Sequence, residues 1–217
     1  MPADRIDLDR IYLDHAATTP MRPEAVAAMQ PFLDGIYANP SGSHRFAREA
    51  RRAIDEARDA VAAALGCKPG EVIFTGGGTE GDNAAIFGAL RRFAARGVSA
   101  RAVCSAAEHH AVLHCVEHAH GEVVGTDSNG CIDQVALGDV LRRLVADNVV
   151  PVVSVMAVNN EVGSITPISE VARLVRSIAP NAVLHSDAVQ AACWLDLAPI
   201  IANCDMAALS SHKFGGP

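Results

Sequence analysis

From Glu71 onward the chain repeats one unit: a short run of β-branched or small apolar residues, a turn, then a stretch with helical spacing. The runs that read as strands cover residues 72–75, 102–105, 122–124, 149–158 and 182–185, with a last one that starts at Met206 and ends at Ser210. Helical periodicity covers residues 79–95, 109–118, 134–146 and 168–178, and a short helix starts at Ala188. Such alternation predicts an α/β chain, with a mostly parallel, doubly wound sheet between layers of helices. Half of the residues are apolar and only 4% are aromatic. Alanine and valine dominate, which suits helices packed on a sheet buried on both faces. The 217 residues suffice for one large domain with a substantial core.

Upstream of the repeat, residues 9–13 read as a short strand leading to a polar turn at 14–20. A helix over 23–33 has Pro23 at its first position. After a loop at 39–43, Ser43 is placed to cap a long helix that runs to about residue 65 and stops at Gly66.

Charge and cysteine usage narrow the class. The net charge is −7 and there is no basic tract, so nothing invites nucleic acid. The six cysteines, Cys67, Cys104, Cys115, Cys131, Cys193 and Cys204, form no C-x-x-C pair. They read as reduced thiols in a cytoplasmic protein, mostly small core residues. No apolar h-region follows Met1 and no run of 18 apolar residues occurs, so neither a secretory signal nor a membrane span is expected.

In doubly wound sheets, ligands bind beyond the carboxyl ends of the strands. The residues that follow each strand therefore carry the functional information. Thr75-Gly76-Gly77-Gly78-Thr79-Glu80 precedes a helix. Glycines let backbone N–H groups approach an anion and the helix start adds aligned donors, so the stretch reads as a phosphate cradle or as a plain glycine-rich turn. It is neither a Walker loop nor a G-x-G-x-x-G loop. His109 follows Glu108 at a helix start, where it can stack on a flat ring or move protons. His110, His114 and His118 share a helix face but lack the company of zinc motifs, so they read as a solvated face and no metal is expected. Asn159 and Asn160 offer amide donors or form a turn. Asp187, at the tip of a buried strand, needs a partner such as a protonated pyridine nitrogen, unless it caps the next helix. Lys213 follows the last strand, in Ser210-Ser211-His212-Lys213-Phe214-Gly215-Gly216. A lysine amine at a sheet's rim can take a carbonyl cofactor as a Schiff base. An aldehyde-accepting lysine, a phosphate cradle, a strand-tip carboxylate and a stacking histidine make up the inventory of a pyridoxal 5'-phosphate (PLP) site.

Six stretches in this order carry a family resemblance. They are Tyr12-Leu13-Asp14-His15-Ala16-Ala17-Thr18-Thr19-Pro20, Phe74 to Asn83, Glu108-His109-His110-Ala111-Val112, Val158-Asn159-Asn160-Glu161-Val162-Gly163, His185-Ser186-Asp187-Ala188-Val189-Gln190 and Ser210-Ser211-His212-Lys213. Together they resemble the cysteine desulfurases of the NifS/IscS type, PLP-dependent members of the class V aminotransferase group. The Asn-Asn-Glu and Ser-His-Lys forms favour that branch over the SufS-like one. The resemblance implies the three-layer, mostly parallel large domain of the aspartate aminotransferase-like fold. It implies Lys213 as the covalent anchor and proton carrier, and His109 as ring-stacking acid–base group. Asp187 would pair with the pyridine nitrogen. Gln190 and Asn160 would sit on the ring-hydroxyl side, with Asn160 also near the substrate carboxylate. Gly78, Thr79, Ser210 and His212 would hold the phosphate. Sulfur would leave L-cysteine as a persulfide, with alanine as the other product. Implied partners are a second copy of the chain and an iron–sulfur scaffold or other sulfur acceptor.

The chain departs from the family chiefly in length, being about half as long and ending four residues after Lys213. The segments that would bear the catalytic cysteine and the carboxylate-gripping arginine are not in it, and none of its six cysteines matches the catalytic position. Residues 1–20 read as an N-terminal segment and 21–217 as the large domain, without the small domain. The family sheet inserts an antiparallel strand between the first strand and the one ending at Ser210. A sheet lacking it would carry a gap with unpaired edges. The expectation is a fragment that folds poorly alone and does not complete turnover. Alternatives are another class V activity, such as an aminotransferase or selenocysteine lyase, or a non-catalytic chain that keeps the fold to bind a partner.

Overall fold

In the computed structural model, which describes residues 11–217, the repeat becomes a five-stranded, wholly parallel sheet. Its strands are β1 (Ala100–Ser105), β2 (Glu122–Val124), β3 (Val150–Ser154), β4 (Val183–Asp187) and β5 (Met206–Ala208), in the spatial order β2-β1-β3-β4-β5. The helices are α1 (Pro23–Asp34), α2 (Arg45–Leu65), α3 (Gly78–Ala94), α4 (His110–His118), α5 (Gln134–Ala146), α6 (Ile168–Ile178) and α7 (Ala198–Ile201). Side chains alternate across β1 and assign the layers. Ala102 and Cys104 pack with Ile86 of α3 and with Val112 and Val116 of α4. Val103 joins the opposite face, with Leu137, Leu141 and Leu144 of α5 and Val171 and Val175 of α6. The result is a three-layer α/β domain.

The turn before β2 tolerates no side chain. A Cβ on Gly121 would lie 2.5 Å from the Ala102 carbonyl oxygen and 2.6 Å from Val116 Cγ1. Gly121→Ala is therefore expected to force β1 and α4 apart and to destabilise the fold by about 1–3 kcal/mol. Chemical denaturation checks this; an unchanged midpoint would show that the turn relaxes freely.

Several sequence expectations change, among them the end of the last strand, at Ala208 rather than Ser210. Residues 72–75 are not a strand: Ile73 and Phe74 are largely exposed, with the Arg58 guanidinium 5.0 Å from the Phe74 ring. They have no neighbour to pair with, and β5 ends the sheet with its outer edge open among the described residues. The strand over 149–158 ends at Ser154. Beyond it the N–H groups of Val155 and Ala157 still bond β4, but that of Met156 goes to the Glu108 carboxylate at 2.6 Å instead of to β1. The cap of α2 is His44, whose Nδ1 accepts from Ala47 N, rather than Ser43, while Gly66 closes the helix in the left-handed region at φ 69°. The short helix from Ala188 is a 3₁₀ turn over Ala191–Cys193. Of the strand read over 9–13, residues 9 and 10 lie outside the described residues, and 11–13 form no strand.

Candidate functional site

The chemistry-bearing loops meet at the carboxyl ends of the strands. The glycine loop delivers the N-terminus of α3. Gly77 adopts φ 154° and ψ 177°, a region open in practice only to glycine. That bend presents the first N–H groups of α3, which have no intrahelical acceptor, to an anion. Gly76 N already donates to the Glu80 carboxylate at 2.5 Å, so the loop's donors do attract negative charge. A Cβ on Gly78 would lie 3.6 Å from Ser210 Cβ and 3.0 Å from Val189 Cγ2. The α3 tip with Gly78 and Thr79, the Ser210 turn and the turn after Asp187 are thus brought to one place.

Asp187 ends β4 with only 2% of its surface exposed. One carboxylate oxygen accepts from Val189 N at 2.9 Å in an Asx turn, while the 3₁₀ turn that follows starts at Gln190 without a side-chain cap, so Asp187 does not cap it. Burial raises its pKa above the usual carboxylate range, while the Val189 N–H, His109 and Lys213 pull it back. A further cation against it would complete the ionised form. Gln190, three residues on, is buried with Oε1 lacking any hydrogen-bond partner.

Lys213 closes the 3₁₀ turn Ser211–Lys213 that follows β5. Its Nζ donates to the carbonyls of Ala16 at 2.6 Å and Ala17 at 2.9 Å. The adjoining His212 Nδ1 lies 3.0 Å from Thr18 Oγ1, and Thr19 Oγ1 donates to His212 O at 2.8 Å. Burial, and then the nearby Lys213 charge, lower the His212 pKa and favour its neutral ring. Residues 14–22 are therefore laced to residues 212–215, a role that the polar turn at 14–20 did not announce.

His109 caps α4: its Nδ1 accepts from Ala111 N at 3.1 Å, which leaves Nε2 to carry or lose the working proton. The ring opens onto a groove of about 690 Å³ lined also by Thr79, Phe87, Arg91, His110 and His114. His110, His114 and His118 line this open surface. Among the described residues no three ligand-type side chains converge on a point. The two asparagines separate. Asn159 donates to Ala107 O and accepts from Glu161 N and Val162 N, so it is spent on holding the loops together. Asn160, half-buried, remains available. Burial raises the thiol pKa values of Cys104, Cys115, Cys193 and Cys204, which makes them poor nucleophiles. Sequence reading also passed over three buried ionisable residues beside the site, Asp82, Glu108 and His185.

The family model Aminotransferase class-V matches residues 11–217. The IscS-like cysteine desulfurase of Mycobacterium tuberculosis is 43% identical over 213 residues, which cover 95% of this chain and 53% of that protein. A solved NifS-like protein superposes with a TM-score of 0.85 at 33% identity, over 96% of this chain and 57% of the other. A solved SspA in complex with cysteine gives 0.84 at 31% identity, over 96% and 59%. The chain spans about half the length of the curated relatives it matches.

Proposed function

The chain belongs to the aminotransferase class-V family, and from that premise we propose that it forms the PLP-binding part of a cysteine desulfurase. The observation that carries the reading is the convergence of a buried Asp187, the Lys213 amine and the free donors of the α3 tip at one end of the sheet. The residues fit PLP on this structure's own terms. Asp187 is buried, with His109 and Lys213 favouring its charged form against that burial, and among the described residues Gln190 Oε1 has no hydrogen-bond partner.

When bound, PLP supplies an electron sink for charge that develops at the substrate α-carbon. Gly78, Thr79, Ser210 and His212 would hold its phosphate, and Asp187 would keep its ring nitrogen protonated. Gln190 and Asn160 would lie on the ring-oxygen side. His109 would stack on the ring and move protons through Nε2. Lys213 would hold the group through its amine and would carry protons at the substrate α-carbon. Sulfur leaves to a thiolate, for which none of this chain's buried cysteines is suited. The domain division places residues 1–20 as the N-terminal segment and 21–217 as the large domain. A second copy of the chain and a sulfur acceptor, such as an iron–sulfur scaffold, are the proposed partners in the cytoplasm. No helix among the described residues is long and apolar enough to cross a membrane.

Adding PLP to the purified protein is expected to give the visible absorbance of bound cofactor, and L-cysteine is expected to yield alanine and sulfane sulfur only when a segment bearing the acceptor thiolate is present as well. A keto acid product would indicate an aminotransferase instead, and a protein that never takes up the cofactor would indicate a binding role.

A further inference from the structure

Behind Asp187 lies a second set of buried polar groups that the proposed reaction leaves unused. The strand pleat puts His185 on the same face of β4 as Asp187, and the residue is fully buried. Its Nδ1 is 2.9 Å from Oγ of Ser154, the residue opposite it on β3. Among the described residues its Nε2 has no hydrogen-bond partner, and it faces Asp82 Oδ1 at 3.6 Å. Asp82 is 1% exposed, its Oδ1 has no other partner, and it stands four residues after Gly78 on α3. Helical spacing therefore joins the phosphate cradle and Asp82 along one side of that helix.

Burying an ion pair here would cost more than burying a neutral one. A neutral acid against a neutral imidazole suits the site: Nδ1–H donates to Ser154 Oγ at 2.9 Å, and the Asp82 carboxyl faces Nε2 at 3.6 Å, too long for a hydrogen bond, without burying a charge against it. Burial pushes Asp82 up to about 8, with Asp187 nearby adding to the rise, and pushes His185 down to about 4. Both values keep the pair neutral near pH 7. Glu108, whose Oε1 takes Met156 N, is also pushed well up by burial.

We infer that Ser154, His185 and Asp82 form a proton-holding relay beneath Asp187. The relay ties the cradle end of α3 to β4 and leaves Asp187 as the one carboxylate facing the cofactor's ring nitrogen. Its link to the cofactor rests on the function proposed above; the relay itself does not. Asp82 and His185 are positioning residues, because they act through Asp187 and the α3 tip. The titratable groups packed around Asp82 and Asp187 are His185 on β4, Glu108 after β1, Cys115 and His109 on α4, and Lys213 after β5.

Melting curves of the wild type and of Asp82→Asn, taken across pH without PLP, test the relay. An unfolded chain releases the Asp82 proton near pH 4 and the folded chain only near pH 8. Asp82 therefore makes stability fall as pH rises through that window. Asp82→Asn removes the fall, so its advantage in melting temperature is expected to grow steadily from pH 5 to pH 8. The same substitution is expected to remove a protonated-acid carbonyl band from the infrared spectrum at pH 7. A pH-independent difference, or loss of a carboxylate band instead, would overturn the relay. PLP titration followed by absorbance tests the link to the cofactor. Asp82→Asn, which keeps a neutral donor, is expected to bind within about threefold of wild type. Asp82→Ala, which removes the carboxyl facing the buried ring nitrogen and leaves a cavity beside it, is expected to bind about tenfold more weakly, with a shifted pH midpoint of the cofactor absorbance. Wild-type affinity and midpoint in Asp82→Ala would overturn the positioning role. A wild-type protein that takes up no PLP would overturn the function proposed above, while the melting and infrared results would still decide the relay.

Discussion

Lys213→Ala is expected to abolish the visible absorbance of bound PLP and, in the protein together with its thiolate-bearing segment, to cut turnover by at least roughly a thousandfold, the scale lost with a combined anchor and proton carrier. The sequence holds only two lysines, Lys68 and Lys213, and Lys68 begins an exposed turn at Pro69–Glu71. No second amine can take over. The substitution should cost little stability. The Nζ of Lys213 bonds the carbonyls of Ala16 and Ala17, and at Ala17 water can replace it. Cofactor held by the cradle and Asp187 alone would still bind, but without the band of the covalent linkage. A mutant with wild-type spectrum and rate would remove Lys213 from the site.

Asp187→Asn is the second large effect. Asparagine keeps an oxygen for Val189 N, so the turn after β4 should survive. What it removes is the negative charge opposite the ring nitrogen. Turnover is expected to fall at least about a hundredfold, comparable to losing one preorganised electrostatic partner of a transition state. Without PLP the same protein should melt at or above the wild-type temperature, because burial already disfavours the Asp187 anion. Near-normal turnover, or a collapse of stability in place of a loss of rate, would make Asp187 a turn-forming residue only.

The residues at the strand ends were legible because their types are unusual there: a lysine after the strand now seen at 206–208, a carboxylate at the tip of a buried strand, three glycines before a helix. Their neighbours were less so. Whether residues 72–75 pair depends on a strand beside them, which no local pattern reveals. Asn159 and Asn160 look alike in sequence, yet one is consumed by Ala107, Glu161 and Val162. The strand at 149–158 was overread because its apolar run continues after Glu108 has replaced β1 as the partner of Met156. The Ala16 and Ala17 carbonyls that hold Lys213 carry no side-chain signal at all. Asp82 and His185 did leave a trace: an ionisable residue at an inward position of a helix, and one within a buried strand.

The most direct measurement is borohydride reduction of the PLP-loaded protein followed by peptide mapping. One phosphopyridoxyl group on Lys213, and none on Lys68, is the expected result. A label on Lys68, or no label on a protein that shows the cofactor's absorbance, would contradict the assignment of Lys213 as the anchor.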